Sequence, residues 1–301
     1  MELKKFLSFV AAATVILCGF GCKFSNGVDA QNLKTDNEQT TKWSNFTQDR
    51  PQIAQRFDSI GVDHNKTLGE LYDTLAEYKN TQARSVGKTG LTDEEIASVM
   101  NRFFFQNAVD GIIRAAEVNT VPEAETNIEF VFSSAAQSFI DQIKLLIDPI
   151  TSATPQNEVE EVMKRIESIE KEAESILLPE EKAPFYAYTA TSRASLAYWY
   201  DNIAKWDALR NTSEQTSRYI SIWRRIAGAV ASDAGGAYHG CLRGGELADK
   251  FAPGNSKVKL AAQIICGGVG AAWSSPEGWR RGTYVVVAPL DWLMAKIQHL
   301  L

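Results

Sequence analysis

Apolar residues along most of the chain recur every three or four positions, which is the spacing of one face of an α-helix. This spacing is sustained from Pro51 onward. One such face holds Leu68, Leu71, Tyr72, Leu75 and Tyr78, and another holds Ile96, Val99, Met100, Phe103 and Phe104. Thr67 with Glu70, and Thr92 with Glu95, have the spacing of a capping box at a helix start. The pattern therefore predicts an amphipathic helix after each box.

Three further helices are predicted downstream, over 123–147, 157–178 and 184–209. The second of them carries apolar residues in a seven-residue repeat, which indicates a seam against one other helix. The seam comprises Val159, Val162, Ile166, Ile169, Ala173 and Ile176. Glu167 precedes Lys171 by four residues, so we expect this pair to stabilise the solvent face of the helix.

Aromatic rings crowd the last of these helices. The rings include Tyr188, Tyr198, Trp199 and Trp206. Rings that share a helical face are typical of core packing, which is the favoured interpretation. The alternative is a binding surface on which a protein or glycan partner stacks, because aromatic side chains offer large rigid faces with a polar tip.

Small residues recur every four positions in the C-terminal third. The first segment holds Gly228, Ser232, Gly236, Gly240 and Gly244, and the second holds Ala262, Cys266, Gly270 and Ser274. Residues four apart share a helix face, so each segment presents a groove where another backbone can approach closely. With Pro253-Gly254-Asn255 as the turn, the pattern predicts an antiparallel helical hairpin.

The hairpin geometry also places two cysteines near one level. Cys241 and Cys266 lie almost symmetrically about the turn. Disulfides form in oxidising compartments outside the cytoplasm, so an exported chain is expected to join them. The alternative is that both are small buried residues chosen for volume.

The N-terminus has the features of a cleavable export signal. Lys4 and Lys5 precede an uncharged run over 6–17, which is too short for a resident membrane helix. Cleavage before Cys22 would leave that thiol free to carry a lipid anchor, while cleavage after Ala30 is the alternative. The polar stretch over 22–48 is then a disordered linker between the signal and the fold.

The composition of the chain excludes some classes of function. The full chain of 301 residues has a formal net charge of −6 and no block of basic residues, which disfavours nucleic-acid binding. The three histidines, His64, His239 and His299, have no metal-ligand spacing, and no catalytic motif, metal site or cofactor is predicted.

The chain resembles exported, lipoprotein-like bacterial helical proteins in the Tyr-Trp-rich segment over 195–206 and the Ala/Gly-rich C-terminal segment. That resemblance implies an envelope or secreted location and assigns no functional residue.

The sequence thus predicts an all-α protein in four parts: a signal over 1–21, a linker over 22–48, a multi-helix bundle over 49–222, and a small-residue hairpin with its tail over 223–301. We expect a non-enzymatic binding protein. The alternative is a membrane-active, bacteriocin-like protein that acts through the hairpin. Asp233 and His239 on the hairpin argue against a resident membrane span, because charged side chains are costly in the bilayer.

Overall fold

The computed structural model describes residues 50–112, 133–210 and 222–281. Within these ranges the chain is helical, with α1 Gln52–Gln55, α2 Asp58–Val86, α3 Asp93–Ile112, α4 Ser134–Ile147, α5 Gln156–Glu174, α6 Pro179–Asp207, α7 Ile222–Phe251 and α8 Ser256–Arg281. The predicted all-α multi-helix bundle is confirmed. The predicted signal, the linker, Cys22 and the tail beyond 281 lie outside the described residues.

Helix α6 is the centre of the bundle. It contacts α1, α2, α4, α5, α7 and α8. Almost every side chain over 184–199 is buried, including polar ones such as Thr189 and Ser192. A helix that is buried on all sides belongs in the middle of a fold rather than at its surface. The remaining helices therefore pack around α6.

One of the two predicted capping boxes is present. The Glu95 backbone N–H donates to Thr92 Oγ1 over 3.2 Å, and the Thr92 backbone N–H donates to Glu95 Oε2 over 2.9 Å. The box predicted at Thr67 is wrong, because Thr67 lies inside α2 and donates its hydroxyl to the Asp63 carbonyl. Helix α2 begins nine residues earlier, at Asp58.

Three predicted helices have different limits from those expected. Helix α4 begins at Ser134, where the Ser133 hydroxyl caps it, rather than at residue 123. Helix α6 begins at Pro179 rather than at Pro184, because proline at a first helical position needs no backbone donor. Helix α5 ends at Glu174, so Ile176 of the predicted seam lies beyond it and is 57% exposed. The buried face of α5 includes Met163 in place of Val162.

The C-terminal hairpin is present, and it is the closest helix pair in the described fold. A Cβ atom built on Gly240 would overlap the carbonyl oxygen of Cys266, and one built on Gly236 would overlap that of Gly270. Gly254 has φ +77°, a left-handed conformation that glycine adopts without strain, and it forms the turn. The small side chains thus bring α7 and α8 together at backbone contact.

Candidate functional site

Asp233 is the hub of a buried polar cluster that joins three helices. It lies on α7 and is fully buried. Its Oδ2 accepts hydrogen bonds from the Ser195 hydroxyl and from Trp199 Nε1, both on α6, and lies 3.1 Å from His64 Nε2 on α2. We call these four residues the Asp233 cluster. It connects the hairpin to the bundle through a single carboxylate oxygen.

The His64 ring is held from both sides. Its Nδ1 lies 2.9 Å from Asn65 Oδ1, while the Asn65 amide nitrogen donates to the Ala194 carbonyl over 3.1 Å. Nε2 approaches Asp233 as an ion-pair contact, not as an aligned hydrogen bond. The close crossing of α2 and α6 supports this placement, because Gly61 has no side chain and lies against Ala194.

The Asp233 cluster contains the residue types of a nucleophilic triad in a different arrangement. In a triad the serine donates to the histidine, and the histidine donates to the acid. Here Ser195 donates directly to Asp233, and the side chains of His64 and Asp233 have 0% exposure. The arrangement fastens three helices together, and the group that accepts from the serine hydroxyl is a buried carboxylate rather than a histidine.

A second polar cluster, buried apart from the partly exposed Asp58, links Arg50 to the centre of the bundle. Arg50 Nε donates to Glu170 Oε2 over 2.6 Å, and Arg50 also contacts Asp58 at 2.8 Å. Arg193 contacts Asp58 at 2.9 Å and Glu167 at 3.3 Å. We call these five residues the arginine cluster. It ties α5 and α6 to the start of the described chain.

The arginine cluster compensates its own charges. Burial is the largest influence on Arg50 and acts to lower its pKa, yet the carboxylates of Asp58 and Glu170 outweigh it and raise the pKa above its ordinary value. Thr189 donates a further hydrogen bond to Glu170. The predicted solvent-face role of Glu167 is therefore wrong, because this side chain is buried against Arg193.

The aromatic residues that sequence reasoning singled out are in the core. Tyr188, Tyr198, Trp199 and Trp206 have exposures between 0% and 5%. Trp206 donates its ring N–H to the Tyr198 hydroxyl and packs edge-on against Trp279 of α8. The core interpretation is confirmed, and these rings form no open binding surface in this structure.

Cys241 and Cys266 are both free thiols, so the predicted disulfide is absent. The register of the hairpin gives the reason. Gly240, not Cys241, lies opposite Cys266, whose Cβ is packed beside Gly244, while Cys241 lies next to Gly267. Burial raises the pKa of the Cys266 thiol to about 12 and also raises that of Cys241.

Within the described ranges, no group of three His, Cys, Asp or Glu side chains is arranged to hold a metal ion. No helix there combines the length and the apolar character needed to cross a membrane. His299 lies outside the described residues. Comparisons of the chain with protein-family models, with curated proteins and with solved structures gave no match.

The sequence analysis predicted neither the Asp233 cluster nor the arginine cluster. Glu170 lies on the apolar face of α5, four residues after Ile166 and three before Ala173, and Asp233 lies between the small residues Ser232 and Ala234. A charged residue at a core-facing position was the available signal, because such residues are almost never fully buried without a partner. The identity of that partner depends on tertiary packing.

Proposed function

We propose that the protein is an exported, envelope-located or secreted helical protein that acts by binding a partner rather than by catalysis. The observation that carries this proposal is the burial of the Asp233 cluster. The side chains of its histidine and aspartate have 0% exposure, and its serine is fully buried. A serine nucleophile needs access to substrate as well as a base within hydrogen-bond reach, and the burial of Ser195 denies it that access.

A fluorophosphonate probe tests the proposal, because it labels serine nucleophiles that a base has activated. We expect no labelling of Ser195 in the purified mature protein, while an active serine hydrolase in the same tube is labelled. Labelling that Ser195→Ala abolishes would overturn the non-catalytic proposal. Denatured protein is the control for access, because an unfolded serine has no activating base.

The proposed location rests on the predicted leader, with its charged start and its short apolar run. The predicted linker over 22–48 would then join a membrane-anchored Cys22 to the helical bundle. Mass spectrometry of the mature N-terminus tests this: a lipidated Cys22 supports an anchor, a terminus after Ala30 supports secretion, and an intact Met1 contradicts export.

A second candidate function, membrane activity, is favoured by the construction of the hairpin. Helices α7 and α8 contain 30 and 26 residues and contact each other along their small-residue faces without a third helix between them. At ~1.5 Å per residue they are about 45 and 39 Å long. A unit of this kind could act on a bilayer after it separates from the bundle.

Release of a trapped dye from phosphatidylglycerol-containing vesicles tests the second candidate. Membrane activity through the hairpin predicts release by the mature protein and a loss of release in Gly240→Leu, which would force the two helices apart. Gly268→Ala is the matched control, since a Cβ at this position meets no atom within 4 Å. Absence of release at every pH tested would remove this candidate.

A further inference from the structure

One face of α8 is apolar and lies outside the core. Val258, Ala261, Ile265 and Gly268 follow one another at spacings of three and four residues, so they share one side of the helix. Ala261 is exposed, and the side chains of Val258 and Ile265 are partly exposed. A Cβ atom built on Gly268 would meet no atom within 4 Å. We call these four residues the outer stripe of α8.

The outer stripe is distinct from the faces that hold the hairpin in the fold. Leu260 and Ile264 of the same helix pack against the hydrophobic core. Ala262 lies against Gly244 of α7. Within the described ranges, no residue of the outer stripe belongs to that core or to the apolar side chains packed on it. The first half of α8 therefore has partners on its inner sides and an open apolar face on its outer side.

Basic residues surround the start of the stripe. Lys257 is exposed and directly precedes Val258, and Lys250 is exposed in the last turn of α7. Over 249–260 the chain carries three lysines and one aspartate, which pairs with Lys259 at 2.6 Å. This end of the hairpin is therefore basic, although the full chain has a formal net charge of −6. Apolar side chains beside lysines are the features by which a helix lies on an anionic membrane surface.

A lipid surface fits this face better than a protein partner does. Stable protein interfaces bury about 1,200 Å² or more of total surface. The outer stripe consists of one valine, one isoleucine, one alanine and one glycine, so it offers far less apolar area than such an interface. A fluid bilayer has no fixed shape that the stripe must match, and it supplies negative charge and apolar contact together. The observations therefore favour an anionic membrane as the partner.

We propose that the turn over 252–255 and the outer stripe of α8 form a docking site for an anionic lipid bilayer. The lysines attract the lipid headgroups, and the stripe enters the boundary between headgroups and acyl chains. Docking uses the intact fold, because the stripe already faces outward. The site thus goes beyond the second candidate function, which requires the hairpin to separate from the bundle.

Binding of the purified mature chain to lipid vesicles tests the proposal. Cys22→Ser in this chain prevents attachment of a lipid, so that an anchor cannot account for the binding. We expect binding to phosphatidylglycerol vesicles at least about tenfold tighter than to phosphatidylcholine vesicles, and weaker binding at high salt, because salt screens the attraction between lysines and headgroups. Absent binding, or equal binding to the two kinds of vesicle, would overturn the proposal.

A charge reversal tests the basic end of the hairpin. Lys257→Glu should weaken binding to phosphatidylglycerol vesicles by at least about fivefold, because an attracted charge is replaced by a repelled one. Lys164→Glu is the matched control, since it makes the same change in net charge at an exposed position on α5. An equal loss in the two variants would show that net charge alone governs binding and would contradict the docking site.

Two substitutions test the stripe in opposite directions. Ile265→Ser should weaken binding by about fivefold or more, and Gly268→Leu should strengthen it by a similar factor, because they remove and add apolar surface that the bilayer would cover. Leu145→Ser, at a side chain 72% exposed on α4, should leave binding unchanged. Unchanged binding in Gly268→Leu would overturn the proposal. This variant removes no contact, so it decides even where Ile265→Ser fails to fold.

Release of a trapped dye distinguishes docking from the second candidate function. Docking on the surface predicts that the protein binds phosphatidylglycerol vesicles without releasing the dye. Release together with binding that neither Lys257→Glu nor Gly268→Leu alters would support separation of the hairpin and would overturn the docking site.

Discussion

Thr92 shows how side chains near a helix start satisfy its free backbone N–H groups. Its hydroxyl and the Glu95 carboxylate each satisfy a backbone N–H at the beginning of α3. Lys88 also contacts this carboxylate at 2.7 Å and is the largest of the influences that lower the pKa of Glu95. The start of α3 thus depends on three side chains within eight residues.

We predict that Thr92→Ala lowers the free energy of unfolding by about 1 kcal/mol, because one backbone donor at the helix start loses its acceptor. Urea denaturation measures the change. Thr81→Ala is the matched control, since the Thr81 hydroxyl donates to the Glu77 carbonyl on an exposed face and caps no helix. A loss in the control as large as that in Thr92→Ala would contradict the capping role.

The sequence is informative about residues whose role is local. The Thr92 and Glu95 box could be predicted because both partners lie within one turn. The role of Thr67 could not be predicted from the same motif, because the hydroxyl donates back to the Asp63 carbonyl inside a longer helix. Glu167 was misplaced for a related reason: its partner Arg193 lies 26 residues away, beyond any helical spacing rule.

At the scale of elements, the hairpin was the most predictable part of the structure. A small residue every fourth position has a purely geometric consequence, since it allows two backbones to touch. The prediction of the disulfide was wrong because it also required the exact register of one helix against the other. A shift of one position places Gly240 rather than Cys241 opposite Cys266.

Gly240→Ala is predicted to destabilise the protein by about 2–3 kcal/mol, because its Cβ would overlap the Cys266 carbonyl and force the helices apart. Thermal unfolding followed by circular dichroism measures it. Gly268→Ala in α8 should instead raise stability by up to about 1 kcal/mol, since alanine is the better helix former and the site is open. Equal effects at the two positions would show that helix propensity, not contact, governs the hairpin.

At the scale of the whole molecule, the two polar clusters converge on α6. Arg193 belongs to the arginine cluster, and Ser195 and Trp199 belong to the Asp233 cluster. The sequence could place an aromatic helix in the core by periodicity. It could not show that the same helix contacts charged residues near the start of α2 and within α7, because those contacts are created by the tertiary fold.

Glu170→Gln is predicted to cost about 3 kcal/mol in the free energy of unfolding, because it removes the fully buried carboxylate that pairs with both Arg50 and Arg193. Chemical denaturation at neutral pH measures the loss. Glu161→Gln on the same helix should change stability by less than about 1 kcal/mol, since its ion pair with Lys164 is exposed. A small loss in Glu170→Gln would mean that the arginines find other partners.

The polar clusters also constrain the order in which the chain folds. The hairpin closes through a short turn over 252–255, whereas Arg50 and Glu170 lie 120 residues apart, and Arg193 and Asp58 lie 135 apart. Contacts between distant residues carry a loop-closure entropy, and they slow folding. A ribosome would present the N-terminal helices long before Asp233 exists. His64 must therefore wait for the hairpin, and a chain truncated before residue 233 leaves this buried histidine without its contact to the Asp233 carboxylate.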